Sequence, residues 1–230
     1  MDTDLKNYIF KNKNNQPSLF QRIIMAHHIA MGLNWGAEQM NLRHNDLKPS
    51  NILLSGLVEG KWVTSSKCKV TDFGLALTQF STERMSIGNA EYSSPEARKF
   101  KSTDEKSDVY SYGWILFNLV SWEDEISWPV PLEEHLKFVT NDKAKESFIK
   151  RTLERQACPE VIIDLIILCT KTNNSSRPRF SEILATFDKE LFVASAIPKI
   201  DSEAYKFWKM NIGSVKKKKK SHSSIFYFLL

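Results

Sequence analysis

Asp46, Lys48 and Asn51 stand together in the stretch HNDLKPSN, residues 44–51, and Asp72 opens the triplet DFG farther along the chain. These residue types at this spacing suit phosphoryl transfer. That reaction asks for an acid to orient the attacking hydroxyl, cations to absorb phosphate charge, and fixed metal ligands. Asp46 can accept the hydroxyl proton, and Lys48 can carry the charge of the transferring group. The amide oxygen of Asn51 and the carboxylate of Asp72 are hard oxygen ligands of the kind magnesium takes. Gly74 frees the backbone to turn just after Asp72.

Such residues need elements to hold them. NILLSG and CKVTDFG have the pattern of two short strands joined by a long polar hairpin over residues 57–67. Ahead of them, PSLFQRIIMAHHIAMGLNWGAEQM predicts a long core helix. Pro17 and Ser18 form its entry, Gln21 sits where a capping box wants it, and Leu19, Ile23, Ala26, Ala30, Leu33 and Ala37 fall on one stripe. His27 and His28 lie within this helix and must diverge, since neighbouring helical positions point about 100° apart. They are expected to be packed or surface histidines, not a ligand pair.

DLKNYIF predicts a short, exposed helix before the polar break KNKNNQ. Residues 78–106 are expected to be irregular. SDVYSYGWILFNLV is apolar nearly all round, so it should be a buried central helix with Ser107 or Asp108 as its N-cap. Helical patterns dominate afterwards, in PLEEHLKFV, KESFIKRTLERQ, PEVIIDLIILCTK and FSEILATFDKELFVA. The fold class expected is mainly α, with short β-hairpins at a cleft.

With 230 residues, 42% of them hydrophobic, the chain can bury one sizeable core. Its formal charge is +5, and five consecutive lysines from Lys216 to Lys220 account for all of it. The remainder is near neutral, which argues against a nucleic-acid partner. Cys68, Cys158 and Cys169 show no metal-ligand spacing, and the start MDTDLKNYIF lacks the order of a signal peptide. A reducing, cytoplasmic setting is the expectation.

The motifs in order resemble the protein kinase family, in particular the C-terminal lobe of its tyrosine-kinase-like serine/threonine branch. HNDLKPSN resembles the catalytic loop, and DFG the start of the activation segment. GNAEYSSPE resembles that segment's end, with Ser94, Pro95 and Glu96 in place of Ala-Pro-Glu. SDVYSYGWILFNLV is similar to the central helix whose leading acid, here Asp108, braces the catalytic loop. CTKTNNSSRPRF is similar to the segment whose arginine, here Arg177, pairs with the glutamate.

The resemblance implies ATP and Mg2+ as cofactors and a protein serine or threonine as substrate. Lys48, two residues after Asp46, is the serine/threonine pattern. The resemblance further implies that Lys48, Asn51, Leu53 and Asp72 contact the nucleotide, with Leu53 flooring the adenine pocket and Asp4 near the ribose. Asn51 and Asp72 would hold the metal. A kinase domain over residues 1–195 is then followed by a disordered tail, residues 196–230.

The sequence departs from that pattern in places. Asn45 replaces the usual arginine, which puts control by phosphorylation at Thr78, Ser81, Thr82 or Ser86 in doubt. Asn89 and Ser94 are smaller changes. The glycine-rich loop, strand lysine and helix glutamate of the N-terminal lobe have no counterpart, so the domain is expected to be partial. It would be a fragment of a longer kinase, a truncated binding module or pseudokinase scaffold, or a lobe complemented by another chain; the first is expected. Choline and aminoglycoside kinases also use His-x-Asp with an asparagine five residues on, but typically lack the Phe-Gly, Pro-Glu and Arg-Pro pieces present here. The lysine run beside SIFYFLL invites comparison with a polybasic membrane contact, and a solvated tail is the plainer reading.

Overall fold

The computed structural model describes residues 2–63, 65–72, 77–78, 90–100 and 103–194. Gly74, Ser81, Thr82, Ser86, Asn89 and the tail with Lys216 to Lys220 lie outside the described residues, as does the Phe-Gly of DFG.

The chain starts with a two-residue strand, β1 (Thr3–Asp4), and a short helix, α1 (Leu5–Lys11). Asp4 caps α1, its side chain accepting from the Asn7 backbone N–H at 2.9 Å. The sequence pattern suggested an exposed helix. Instead Leu5, Tyr8 and Ile9 are buried. Tyr8 meets Trp122 edge to face at 6.0 Å, and its hydroxyl accepts from the Trp62 backbone N–H at 2.9 Å.

The long helix follows as α2 (Leu19–Met40), opened by the expected capping box: Gln21 N donates to Ser18 Oγ and Ser18 N to Gln21 Oε1. More than one stripe of α2 is buried, because Phe20, Ile24, Met25 and Ile29 are covered along with Ile23, Ala26, Ala30 and Leu33. His27 and His28 diverge as the helical spacing requires. His27 faces Asp188 at 3.6 Å, and His28 lies against Trp62 at 6.1 Å between ring centres.

A short strand, β2 (Leu42–Arg43), pairs antiparallel with β5 (Leu77–Thr78). The two strands read from the sequence are β3 (Ile52–Ser55) and β4 (Lys67–Val70), joined antiparallel with Ile52 opposite Val70. Unforeseen, β1 adds to β3 with Thr3 opposite Leu54, giving the sheet order β1-β3-β4.

The stretch expected to be irregular contains a helix, α3 (Pro95–Phe100). The central helix α4 (Glu105–Ser121) is buried from Ser107 to Ser121. Its N-cap is Asp104, whose side chain accepts from the backbone N–H groups of Lys106 and Ser107, not Ser107 or Asp108. The difference matters: Asp108 points into the fold, as described below. At the other end Arg22 Nη1 donates to the carbonyls of Val120 (2.8 Å) and Leu119 (3.3 Å), a cation at a helix C-terminus.

Four more helices close the core: α5 (His135–Val139), α6 (Asp142–Leu153), α7 (Glu160–Cys169) and α8 (Phe180–Ala194). Helix α4 packs on α2 and α7, and α2 on α8 and β4. Gly113 makes the α4–α7 contact possible, since a Cβ there would stand 2.7 Å from Cys169 Cβ. No helix among the described residues is long and apolar enough to cross a membrane. The cysteines are free thiols.

Candidate active site

The His44–Asp46 backbone is fixed from α4. Asp108 accepts two backbone N–H bonds, from His44 at 2.6 Å to Oδ2 and from Asn45 at 2.9 Å to Oδ1. Receiving both requires the chain to turn sharply, and Asn45 does so with φ of 64°, a left-handed conformation asparagine tolerates better than most residues. Burial pushes the Asp108 carboxyl up, against the opposing pull of His44 and the two N–H donors.

His44 ties the loop to the end of β4. Its Nε2 lies 2.8 Å from the Thr71 carbonyl, which can only accept, so Nε2 carries the proton. That leaves Nδ1 as the acceptor for the Asp46 N–H at 3.3 Å. The two contacts agree on one tautomer.

Asp46, Lys48 and Asn51 converge. Lys48 Nζ donates to Asp46 Oδ2 at 2.7 Å. Asn51 Nδ2 donates to the Asp46 carbonyl at 2.8 Å and reaches Oδ2 at 3.2 Å. A single turn of 3-10 helix at Pro49–Asn51 doubles the chain back to allow this, with Asn51 N–H donating to the Lys48 carbonyl at 2.9 Å.

Asn51 also accepts at its own carbonyl from the Thr71 N–H, 2.9 Å away, which sets the end of β4 beside the loop. Asp72 follows Thr71 directly, exposed and with φ of 62°. Because Asn51 spends its NH2 on Asp46, its amide oxygen is left as the acceptor end of the side chain. An amide oxygen and one carboxylate make an all-oxygen donor set of the kind magnesium shares with substrate phosphates and water, so the residues fit that ion.

Leu53 alternates with buried Ile52 and Leu54 and is half-buried on the other face of the sheet, between Asp4 and Lys69. Asp4 is engaged in capping α1, with Asn7 Nδ2 also donating to it.

A second brace holds Glu96. Arg177 donates to both carboxylate oxygens, Nη1 to Oε1 at 2.7 Å and Nη2 to Oε2 at 2.9 Å. Burial alone would push the Glu96 carboxyl up; the bidentate arginine outweighs it and holds the group below the ordinary glutamate value. Ser107 Oγ donates to Glu96 Oε1 at 2.9 Å. Tyr92 is fixed from α4 too, its carbonyl accepting from Ser111 Oγ at 2.8 Å and its hydroxyl donating to Asn118 Oδ1 at 2.9 Å. Sequence reasoning missed Tyr92, Ser107, Ser111 and Asn118. For Ser107, Ser111 and Asn118 the only signal was a cluster of polar side chains on a helix otherwise apolar all round; Tyr92 lies off that helix, within GNAEYSSPE.

Residues 1–187 match the family described as protein tyrosine and serine/threonine kinase. Among similar proteins, the dual specificity protein kinase shkE of Dictyostelium discoideum is 28% identical over 92% of this chain and 28% of its own length. The dual specificity protein kinase shkD of the same organism is 30% identical over 90% of this chain and 26% of its own. A mitogen-activated protein kinase kinase kinase of Drosophila melanogaster is 34% identical over 68% of this chain and 13% of its own. The chain thus spans under a third of the length of each of these relatives. With the loop built around Asp46, the Glu96–Arg177 pair and a match over residues 1–187, this chain belongs to the protein tyrosine and serine/threonine kinase family.

Proposed function

We propose that these residues form the C-terminal lobe of a protein serine/threonine kinase, completed by an N-terminal lobe, with residues 196–230 as a tail outside the domain. The observation that carries the reading is the convergence of Lys48 Nζ and Asn51 Nδ2 on the Asp46 carboxylate, at 2.7 and 3.2 Å. Asp46 orients a protein hydroxyl and takes its proton. Lys48 places a positive charge beside the point where the transferring group must pass. Asn51 fixes Asp46 with its NH2 and, with Asp72, offers the oxygens that hold the metal. Leu53, on the sheet face away from the core, supports the adenine. When bound, ATP would supply the phosphoryl group and magnesium would neutralise its charge.

The position of Lys48 favours serine and threonine acceptors. Two relatives named as dual specificity kinases support a second reading in which tyrosine is also accepted. The test is phosphotransfer from labelled ATP to protein by the full-length kinase, followed by phosphoamino-acid analysis. Asp46→Asn should lower turnover by about 10²-fold or more while thermal unfolding stays unchanged. Retained turnover in that variant rules out Asp46 as the base, and phosphotyrosine among the products supports the second reading.

A further inference from the structure

Lys145 of α6 is a lysine with only 2% of its side chain exposed. It opens the helical stretch KESFIKRTLERQ but lies in none of the motifs that carry the family resemblance. Its Nζ donates to the Thr170 carbonyl and to Thr172 Oγ1, the latter at 3.2 Å, and pairs with Asp142 Oδ1 at 3.0 Å. Arg177 holds the same short turn from another direction: Nε donates to the Lys171 carbonyl at 2.8 Å and Nη2 to the Thr172 carbonyl at 3.3 Å. Three consecutive carbonyls are therefore shared between two buried cations.

Both cations also meet one aromatic ring. Arg177 lies 4.9 Å and Lys145 5.5 Å from the centre of the Tyr110 ring in α4. The charges balance, with Glu96 opposite Arg177 and Asp142 opposite Lys145. Burial pushes Lys145 down to about 8 against the pull of Asp142, and the Arg177 charge adds to that push, so the two cations feel each other.

A buried lysine is costly unless it holds something. We infer that Lys145 is a positioning residue for the Glu96–Arg177 pair: by clamping the 170–172 turn from α6 it fixes where Arg177 sits, and through Arg177 it places α3 relative to the loop that carries Asp46. The readout on substrate rests on the kinase reading above, since only a protein kinase has a protein-substrate KM to shift. The readout on structure does not.

Hydrogen exchange on the complete kinase tests the inference with or without activity. The Arg98 N–H donates to the Ser94 carbonyl and the Ala97 N–H to Ser94 Oγ, so both report on α3. In Lys145→Met these amides should exchange about tenfold faster, as local opening does when a tertiary clamp is removed, while residues 44–51 keep their protection. In phosphotransfer assays the KM for protein substrate should rise severalfold, with kcat and the KM for ATP unchanged. Unaltered exchange in α3, or equal loss in α3 and the 44–51 loop, overturns the inference, as does an equal rise in both KM values. If Lys145→Met does not fold, Thr172→Val, which at nearly constant volume removes one Lys145 acceptor and the 2.8 Å bond from Thr172 Oγ1 to Asp142, decides by the same exchange pattern. A wild-type protein that transfers no phosphate defeats the kinase reading alone and leaves the exchange result standing.

Discussion

Ser107 and Asp108, consecutive residues in the first turn of α4, grip two different parts of the site. Ser107 Oγ donates to Glu96, and Asp108 accepts from the backbone of His44 and Asn45. One helical turn therefore sets the distance between the SPE segment and the loop carrying Asp46. This is why the helix cap falls at Asp104: with Asp104 satisfying the helix N-terminus, both following side chains are available for tertiary bonds.

Asp108→Asn should separate these two grips. The amide keeps one oxygen acceptor and turns an NH2 against a buried backbone N–H, a mismatch costing about 1–3 kcal/mol. Thermal unfolding should shift down accordingly, and hydrogen exchange at the amides of His44 and Asn45 should rise while α3 holds. Ser107→Ala should show the reverse pattern at a smaller cost.

Glu96→Gln probes the second brace. The Glu96 carboxyl lies below its ordinary value in the folded chain, so the stability it contributes is present above about pH 4.5 and is lost as pH falls through the folded value. Wild-type protein should lose stability over that acid range, and the glutamine variant should be less stable at pH 7 with a flatter acid limb. Denaturant unfolding at pH 7, 5 and 4 provides the comparison. Arg177→Leu strands a half-buried carboxylate and should cost about 3–5 kcal/mol.

His135 gives a titration that can be followed directly. It is buried, lies against Trp128 with ring centres 4.3 Å apart and planes tilted by 56°, and has Nδ1 3.0 Å from Arg98 Nη1. Burial, with the Arg98 charge added, pushes it down to about 4. The unfolded chain takes up that proton near pH 6.5, so His135 makes the fold less stable as pH drops from there toward 4. Imidazole NMR should show His135 neutral at pH 5.5, and His135→Gln should remove part of the stability loss between pH 7 and 5.

Gly113→Ala tests the close packing of α4 on α7. The added Cβ would lie 2.7 Å from Cys169 Cβ and 2.9 Å from Thr170 Cγ2. Overpacking of this kind costs about 1–3 kcal/mol, more than the gain from replacing a helical glycine, and calorimetric unfolding should show a net loss.

What the sequence disclosed follows from how local each signal is. The Ser18–Gln21 capping box and the β3–β4 hairpin were legible because a cap and an alternation lie in short stretches of residues, whereas the Glu96–Arg177 pair, 81 positions apart, was legible only through the resemblance of the ordered motifs to a known family. The cap of α4 was misplaced because Asp104, Ser107 and Asp108 are all good N-caps, and only the tertiary bonds of the last two distinguish them. Helix α3 was missed because PEARKF is too short to show a period. The burial of α1 was invisible because Trp62 and Trp122, which cover Tyr8, are remote in sequence. Lys145 drew no attention, since nothing local marks a lysine that will be buried.

Strand β1 also changes how the front of the molecule transmits load. The Asp2 N–H donates to the Leu54 carbonyl at 2.9 Å, and the Asp2 carboxylate accepts from the Leu57 N–H at 2.8 Å. A tug on residue 2 is therefore carried across the ladder into β3, which begins one residue after Asn51. Because those bonds lie across the strand axis, such a load works as shear on the strand that carries Leu53, with Asn51 its neighbour in the chain.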